Sequence, residues 1–297
     1  MKQTISKRKK YLGYTSYAVL LTVALLYFRF PGDAFKEHVQ ATLKEVFPRH
    51  LFSVGHLRPS FPPGLGLFET AVVSGATPDV NLFEADSLVI RPDPWSLLKG
   101  KTKYRFDCRA YGGEIRGSIQ CAEENGEPPF TAFVELLNID LGRHAYLSQL
   151  VGKRLKGALN GVITYGGQGE FPGKGEGEAH LRLSHGSVEL KEPILRLESI
   201  SFDDLLLNMV LKDGKIELTR GELEGREIEG SLSGSIVLKR VFSKSALDLK
   251  GTIAPLGDLF GGAKGASHIL KFFKQDLGKK KFGFSIRGTF ERPKFQL

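Results

Sequence analysis

The sequence predicts a mainly β protein with a few short helices, in which a single N-terminal transmembrane helix is followed by an antiparallel β body. Three observations carry this. In "DGKIELTRGELEGREIEGSLSGSIVLK" (213–239), Ile228, Gly230, Leu232, Gly234, Ile236 and Leu238 fall on every second position, with mostly Glu and Ser between them. Glycine is in excess, 35 residues of 297, and is spread among Val, Ile, Leu and Phe without a three-residue period. That distribution suits many strands with tight turns and bulges, and it excludes a collagen-like helix. The third observation is the uncharged run Tyr11–Phe28 near the start of the chain.

The run contains "YAVLLTVALLYF" (17–28), and its 18 residues would reach about 27 Å as a helix, against a bilayer core of roughly 30 Å. Tyr17, Leu20, Leu21, Val23, Leu25, Leu26 and Phe28 are the candidate lipid-facing anchor residues. Lys2, Lys7, Arg8, Lys9 and Lys10 precede it with no acid among residues 1–10, which by the positive-inside rule keeps the N-terminus in the cytoplasm. A cleaved signal peptide is the rival reading, but "YFRFPGD" (27–33) offers no small-x-small site. The expected organisation is a basic cytoplasmic tail over 1–10, an anchor over 11–30 and a juxtamembrane amphipathic helix over 31–48. A β-rich portion over 49–154 and a second over 155–297 follow, both beyond the membrane. For a Gram-negative source that places the chain in the inner membrane with its bulk in the periplasm.

The composition, 25% charged and 41% apolar, suits a folded chain with a sizeable core. Five of the nine net positive charges sit in the first ten residues, and much of the rest lies near the C-terminus at Lys264, Lys271, Lys274 and Lys279–Lys281. The middle is close to neutral, so a nucleic-acid groove is not expected. The run "KQDLGKKKFG" reads as a solvated loop, or as a contact for anionic lipid or an acidic partner.

After the anchor, "GDAFKEHVQATLKEVF" sets Phe35, Val39, Leu43 and Val46 at helical spacing, for a helix on the membrane surface or packed on the first strands. "LFETAVVSG" and "DSLVIRPDP" read as strands, with "PDPWSLLKGK" a helical turn after the second. "RFDCRAYGGEIRGSIQC" (105–121) reads as a hairpin turning at Gly112-Gly113, which puts Cys108 opposite Gly117. Cys121 then lies about 13 Å further along the same face, too far for a disulfide, so two buried free thiols are expected. "ENGEPP" (124–129) is a polar loop, "FTAFVELLNID" a strand, and "LGRHAYLSQLVGKRLKG" sets Tyr146, Leu147, Leu150 and Val151 on a helical face.

In the second portion, residues 157–190 hold two strands about a Gly-rich loop. In "LLLNMVLKDGKIELTRGEL" (205–223), Asp213-Gly214 is a type I′ pair that brings Leu211 opposite Ile216 and Met209 opposite Leu218. A turn near Gly225-Arg226 would set Leu223 opposite Ile228, and one extra residue, at Gly221, would keep Leu218 on that face. The resulting face holds Met209, Leu211, Ile216, Leu218, Ile228, Leu232, Ile236 and Leu238. With glycine at alternate points it should be shallow and partly bare, either packed under another layer or lining a groove. "SALDLKGTI" is a strand, "ASHILKFFKQDL" a helix and "FGFSIRGTF" a closing strand, for about a dozen strands in all.

No chemistry emerges. His180 and His185, five apart on a strand, point to opposite faces. There is no H-E-x-x-H, C-x-x-C or phosphate loop; "GSLSG" (230–234) centres on Leu232, and "GKGEGEA" (173–179) lacks dinucleotide spacing. Asp203-Asp204 reads as a turn or helix cap rather than a carboxylate pair. No catalytic, cofactor-binding or metal residues are expected, and the chain is read as a non-enzyme.

Two stretches carry a family resemblance. "SLVIRPDPWSLLKGKTKYRFDCRAYGGEIRGSI" (87–119) resembles the N-terminal region of AsmA-like inter-membrane proteins. Residues 200–238, followed by "SALDLKGTIAP" and "FSIRGTFERPKFQL", resemble the end of the type II secretion system protein N family (GspN). The order of basic tail, anchor, strands and terminal Gly-Thr strand agrees from about Tyr11 to Leu297. The resemblance implies a non-enzymatic accessory or scaffold of the type II secretion system, with other secretion subunits as partners. AsmA-like relatives imply an elongated β-groove that shields lipid, the alternative reading. Neither implies a cofactor or an active site.

Overall fold

The computed structural model describes residues 7–48, 50–74, 81–97, 102–122, 129–145, 147, 154–169, 171–194, 197–225, 228–255 and 281–296. Fourteen strands form one antiparallel sheet in which every strand pairs with its neighbour in sequence. They are β1 (His50–Ser60), β2 (Gly64–Ser74), β3 (Asn81–Pro92), β4 (Thr102–Ala110), β5 (Gly113–Cys121), β6 (Phe130–Asp140) and β7 (Leu155–Gly167). The meander continues with β8 (Glu176–Ile194), β9 (Leu197–Lys212), β10 (Lys215–Glu224), β11 (Ile228–Val237), β12 (Ala246–Pro255), β13 (Phe282–Thr289) and β14 (Pro293–Gln296). β6 pairs with both β5 and β7, so the strands of the two expected portions belong to one sheet.

Helix α1 (Lys7–Phe28) covers the expected anchor. Among the described residues no helix is long and apolar enough to cross a membrane. The side chains of Leu20, Val23, Leu26 and Phe28 lie outside the described set; Tyr17, Leu21 and Leu25 are exposed. Helix α2 (Gly32–Val46) packs on the body: Val39 joins Phe30, Val54 and Leu57 in a small core. It also guards the outer edge of the sheet. Lys36 Nζ donates to Gly55 O at 3.1 Å and Gln40 Nε2 to Phe52 O at 3.4 Å, both carbonyls of edge strand β1. At the other edge β14 is four residues long and carries Pro293 and Lys294. A covered first edge and a short last edge with Pro and Lys both discourage pairing with further strands. Helix α3 (Pro94–Leu97) is the expected helical turn.

Two hairpins differ from the sequence reading. The β4–β5 turn is Tyr111-Gly112, both at positive φ (53° and 75°), so Cys108 faces Ile115 rather than Gly117. Bulky residues rarely adopt that conformation, and here tertiary contacts hold it. The Tyr111 hydroxyl accepts from Glu84 N at 2.8 Å, and its ring stacks on His144 with centroids 4.6 Å apart. Cys121 is then opposite Thr102, further from Cys108 than expected, and both thiols are free; Cys108 is buried and Cys121 half-buried. In the β10–β11 hairpin Leu223 faces Gly230, not Ile228, because the connection is longer than a two-residue turn. The expected extra residue is present, as a register shift between Leu218 and Glu222. The expected loop at 124–129, most of the helix at 146–153 and the helix at 266–277 lie outside the described residues, apart from Pro129 and Leu147.

Candidate functional site

The hairpin β9–β10 forms as its sequence requires. Asp213 and Gly214 take φ of 50° and 73°, and Leu211 faces Ile216 while Met209 faces Leu218. Ile216 then faces Ile236, and Leu218 faces Gly234. Leu238, just past β11, holds the register by donating its N–H to Gly214 O at 2.8 Å. Residues directly opposite share a face, and so do alternate residues of one strand. Met209, Leu211, Ile216, Leu218, Ile228, Leu232, Ile236 and Leu238 therefore lie on one face of the sheet. Leu218 and Ile228 are buried and the other six half-buried.

That face extends far beyond the stretch singled out in the sequence. From Met209 the cross-strand row runs back through Ala179, Ile163, Val134, Gly117, Phe106 and Ile90 to Leu65 and Pro59 on the first two strands. Forward from Gly234 it continues through Leu249 and Ile286 to Phe295 on β14. All fourteen strands thus place an apolar residue or glycine in one row. The opposite face is mostly polar: Asp107, Arg116, Glu135, His180 and Asn208 stand in a row with Val162.

Among the described residues no second sheet lies over the apolar face. At one end it closes on itself, where Ile139, Leu141, Leu183 and Phe202 are buried with Tyr111, Leu147 and Leu159 against them. Elsewhere Leu57, Leu67, Cys108, Leu218, Ile228 and Leu247 are also buried, most of the cross-strand row is half-buried, and Phe295 is exposed. At three other glycines of the sheet an aromatic ring fills the gap. A Cβ on Gly117 would stand 2.6 Å from the Phe106 ring, one on Gly186 2.1 Å from the Phe202 ring, and one on Gly251 2.3 Å from the Phe284 ring. In each case ring and glycine are directly opposite on paired strands. The aromatic ring lies over the gap and fills it, and glycines so placed let a sheet bend.

The polar face is laced with ion pairs. Arg182 grips Asp204 through Nε and Nη2, both at 2.7 Å, and Ser184 Oγ donates to the same carboxylate at 2.9 Å. These bonds pull the Asp204 pKa down to about 2. Asp203-Asp204 therefore lies within strand β9, not at a turn or cap, with Asp204 structurally engaged. On the apolar side, burial, with Asp86 nearby, pushes the Cys108 thiol up to about 11. A hollow of about 600 Å³ lies on the polar side and is lined by Lys103, Gln120, Thr131, Thr164, Glu176 and Lys212 among others. Each of six strands contributes one or more of its residues, so no local sequence signal marks it. His180 sits on the polar face with Nδ1 3.1 Å from Asn208 Oδ1. Among the described residues no group of three or more His, Cys, Asp or Glu side chains is arranged to hold a metal.

The arrangement can shelter apolar matter on one face and present charge on the other. No protein-family model, curated protein or solved structure matches the chain.

Proposed function

We propose that the protein is a membrane-tethered, non-enzymatic β scaffold whose apolar face accommodates acyl chains of lipid. The observation that carries the reading is the apolar row from Pro59 to Phe295, crossing the whole sheet with no second layer over it among the described residues. Each CH₂ removed from water onto such a face contributes about 0.8 kcal/mol, so one acyl chain along part of the row suffices for binding. The tether is α1, supported by the uncharged run Tyr11–Phe28 after a basic tail; it would hold the N-terminus in the cytoplasm and the sheet beyond the inner membrane. Native mass spectrometry of the purified full chain released from detergent tests the reading. Co-purifying lipid is expected, and a clean ligand-free spectrum would refute it.

A second reading, a scaffold or assembly factor of the type II secretion system, is favoured by the resemblance of residues 200–238, which form consecutive strands β9, β10 and β11. It expects crosslinking in intact cells to capture other secretion subunits. Repeated crosslinking that never captures one would remove it. The two readings are compatible.

A further inference from the structure

The hollow on the polar face differs from the rest of that face in what its side chains do. Lys103, Gln120, Thr131, Gly166 and Glu176 stand opposite one another on β4 to β8. The next row holds Ser118, Phe133, Thr164, Glu178 and Val210 on β5 to β9, and Lys212 follows Val210 on the same face. All of them line the hollow, whose volume of about 600 Å³ is that of a small-ligand site. From β4 to β9 there are five strand spacings, roughly 24 Å, so the hollow is a trough laid across the strands.

Around the trough, polar side chains bind one another. Arg105 pairs with Asp93 at 3.1 Å, Lys215 with Glu217 at 2.8 Å, and His180 Nδ1 lies 3.1 Å from Asn208 Oδ1. Inside it they do not. Among the described residues no hydrogen bond or ion pair engages the side chains of Gln120, Thr131, Thr164, Glu176 or Glu178, and neither lysine pairs with a glutamate. Two features shape the surface between these groups. The Phe133 ring is 44% exposed on this mostly polar face, between Ser118 and Thr164. Gly166 leaves the floor without a side chain: a Cβ there would meet Thr131 Cγ2 at 3.7 Å and Phe130 O at 4.0 Å, both ordinary contacts, and its φ is not positive.

The charges of the lining cancel, Lys103 and Lys212 against Glu176 and Glu178. A ligand bearing phosphate or sulfate would need an excess of cations. An acyl chain would strip water from amide, hydroxyl and charged groups and return no hydrogen bond. Uncommitted donors and acceptors beside a bare ring suit a neutral molecule with hydroxyls on its edges and C–H groups on its faces. Each hydroxyl donates and accepts, so lysine, carboxylate, amide and threonine are all satisfied by it. The negative face of the phenyl ring attracts C–H hydrogens. Sugar rings present both kinds of surface. We infer that the trough binds an uncharged oligosaccharide, laid across β4 to β9 with one sugar ring stacked on Phe133 and its hydroxyls bonded to Gln120, Thr131, Glu176 and Glu178. The inference is independent of acyl binding, which uses the other face of the sheet.

The full chain is purified in a polyoxyethylene detergent, which carries no sugar, and titrated calorimetrically with maltohexaose, cellohexaose and N-acetylchitohexaose. Hexagalacturonate serves as the acidic counterpart. Saturable binding of at least one neutral sugar is expected, with little dependence on salt. Phe133→Ala, at an exposed position, should weaken it by about tenfold. Gly166→Ile fills the floor of the trough and should abolish it. Lys215→Gln with Glu217→Gln, just outside the trough, should leave it unchanged. Thermal melts of each variant separate loss of the site from loss of the fold, and Phe133→Ala decides if Gly166→Ile does not fold. Absence of binding by all three neutral sugars overturns the inference. So does tighter binding of hexagalacturonate, or sugar binding that Phe133→Ala leaves intact.

Discussion

The ring of Phe284 on β13 lies over Gly251 on β12, so that a Cβ built on the glycine would stand 2.3 Å from the ring and 2.6 Å from Ser231 O. Gly251→Ala must therefore displace the ring and a neighbouring strand, and is expected to cost about 1–3 kcal/mol. Phe284→Ala in the same chain removes the ring collision, so the double variant should lose less than the two single losses combined. Gly283, on the opposite face, has nothing within 4 Å of its would-be Cβ and no positive φ. Gly283→Ala should leave stability unchanged or raise it by about 0.4–1 kcal/mol. Urea unfolding midpoints at constant slope check all four chains.

The two cysteines should differ in reactivity. Cys108 is buried and its thiol is held at about 11, so at pH 8 it carries almost no thiolate and offers no access. Cys121 is half-buried at the end of β5. A thiol reagent at pH 8 should label Cys121 in the folded chain and both residues in denaturant. Peptide mapping that found Cys108 labelled first would contradict the packing of β4 against β3 and β5.

Asp204 gives the sheet a pH dependence whose sign follows from its bonds. Its pKa is about 2 when folded, against about 3.9 when unfolded, because Arg182 and Ser184 donate to the charged form. A depressed carboxylate stabilises the fold above the unfolded value, and the contribution is lost as pH falls from about 4 through about 2. The pair is open to solvent and screened, so Asp204→Asn should lower Tm at pH 7 by only about 1–3 °C. The gap between parent and variant should close in thermal melts at pH 2.

Helix α2 should protect the first edge of the sheet. Val39→Asp puts a charge against Val54 and Leu57 and should lift α2 from β1. The freed strand would then be open to pairing, and light scattering should show a higher average mass than for the parent at the same concentration. Lys36→Met with Gln40→Leu removes both bonds to β1 but keeps the apolar contact of Val39, so it should raise the mass less.

The strands were legible because alternation and turn chemistry are local. Asp213-Gly214 by itself set the pairing of Met209 with Leu218, and the shift between Leu218 and Glu222 followed from keeping both ends of β10 on one face. The turn at Tyr111-Gly112 was not legible, since Gly112-Gly113 is the better local pair and the choice is made by Glu84 and His144, far away in sequence. The same holds for the aromatic cover of the glycines. Phe106 and Gly117 are eleven residues apart, and only the observed register brings them opposite.

The two faces of β11 offer the sharpest test of the lipid reading. Leu232 points to the apolar side, opposite Gly251, and Ser233 to the polar side, opposite Lys250. Leu232→Glu places a charge on the apolar face beside the rows of Leu218 and Leu249, where an acyl chain would lie, at a half-buried position that no second layer covers among the described residues. Co-purifying lipid should fall several-fold, while circular dichroism stays that of a β protein. Ser233→Glu, one residue away, adds the same charge beside Lys250 and should leave lipid content unchanged. If both substitutions reduce lipid equally, the lipid sits elsewhere. If neither does, the apolar row serves only the internal packing of the sheet.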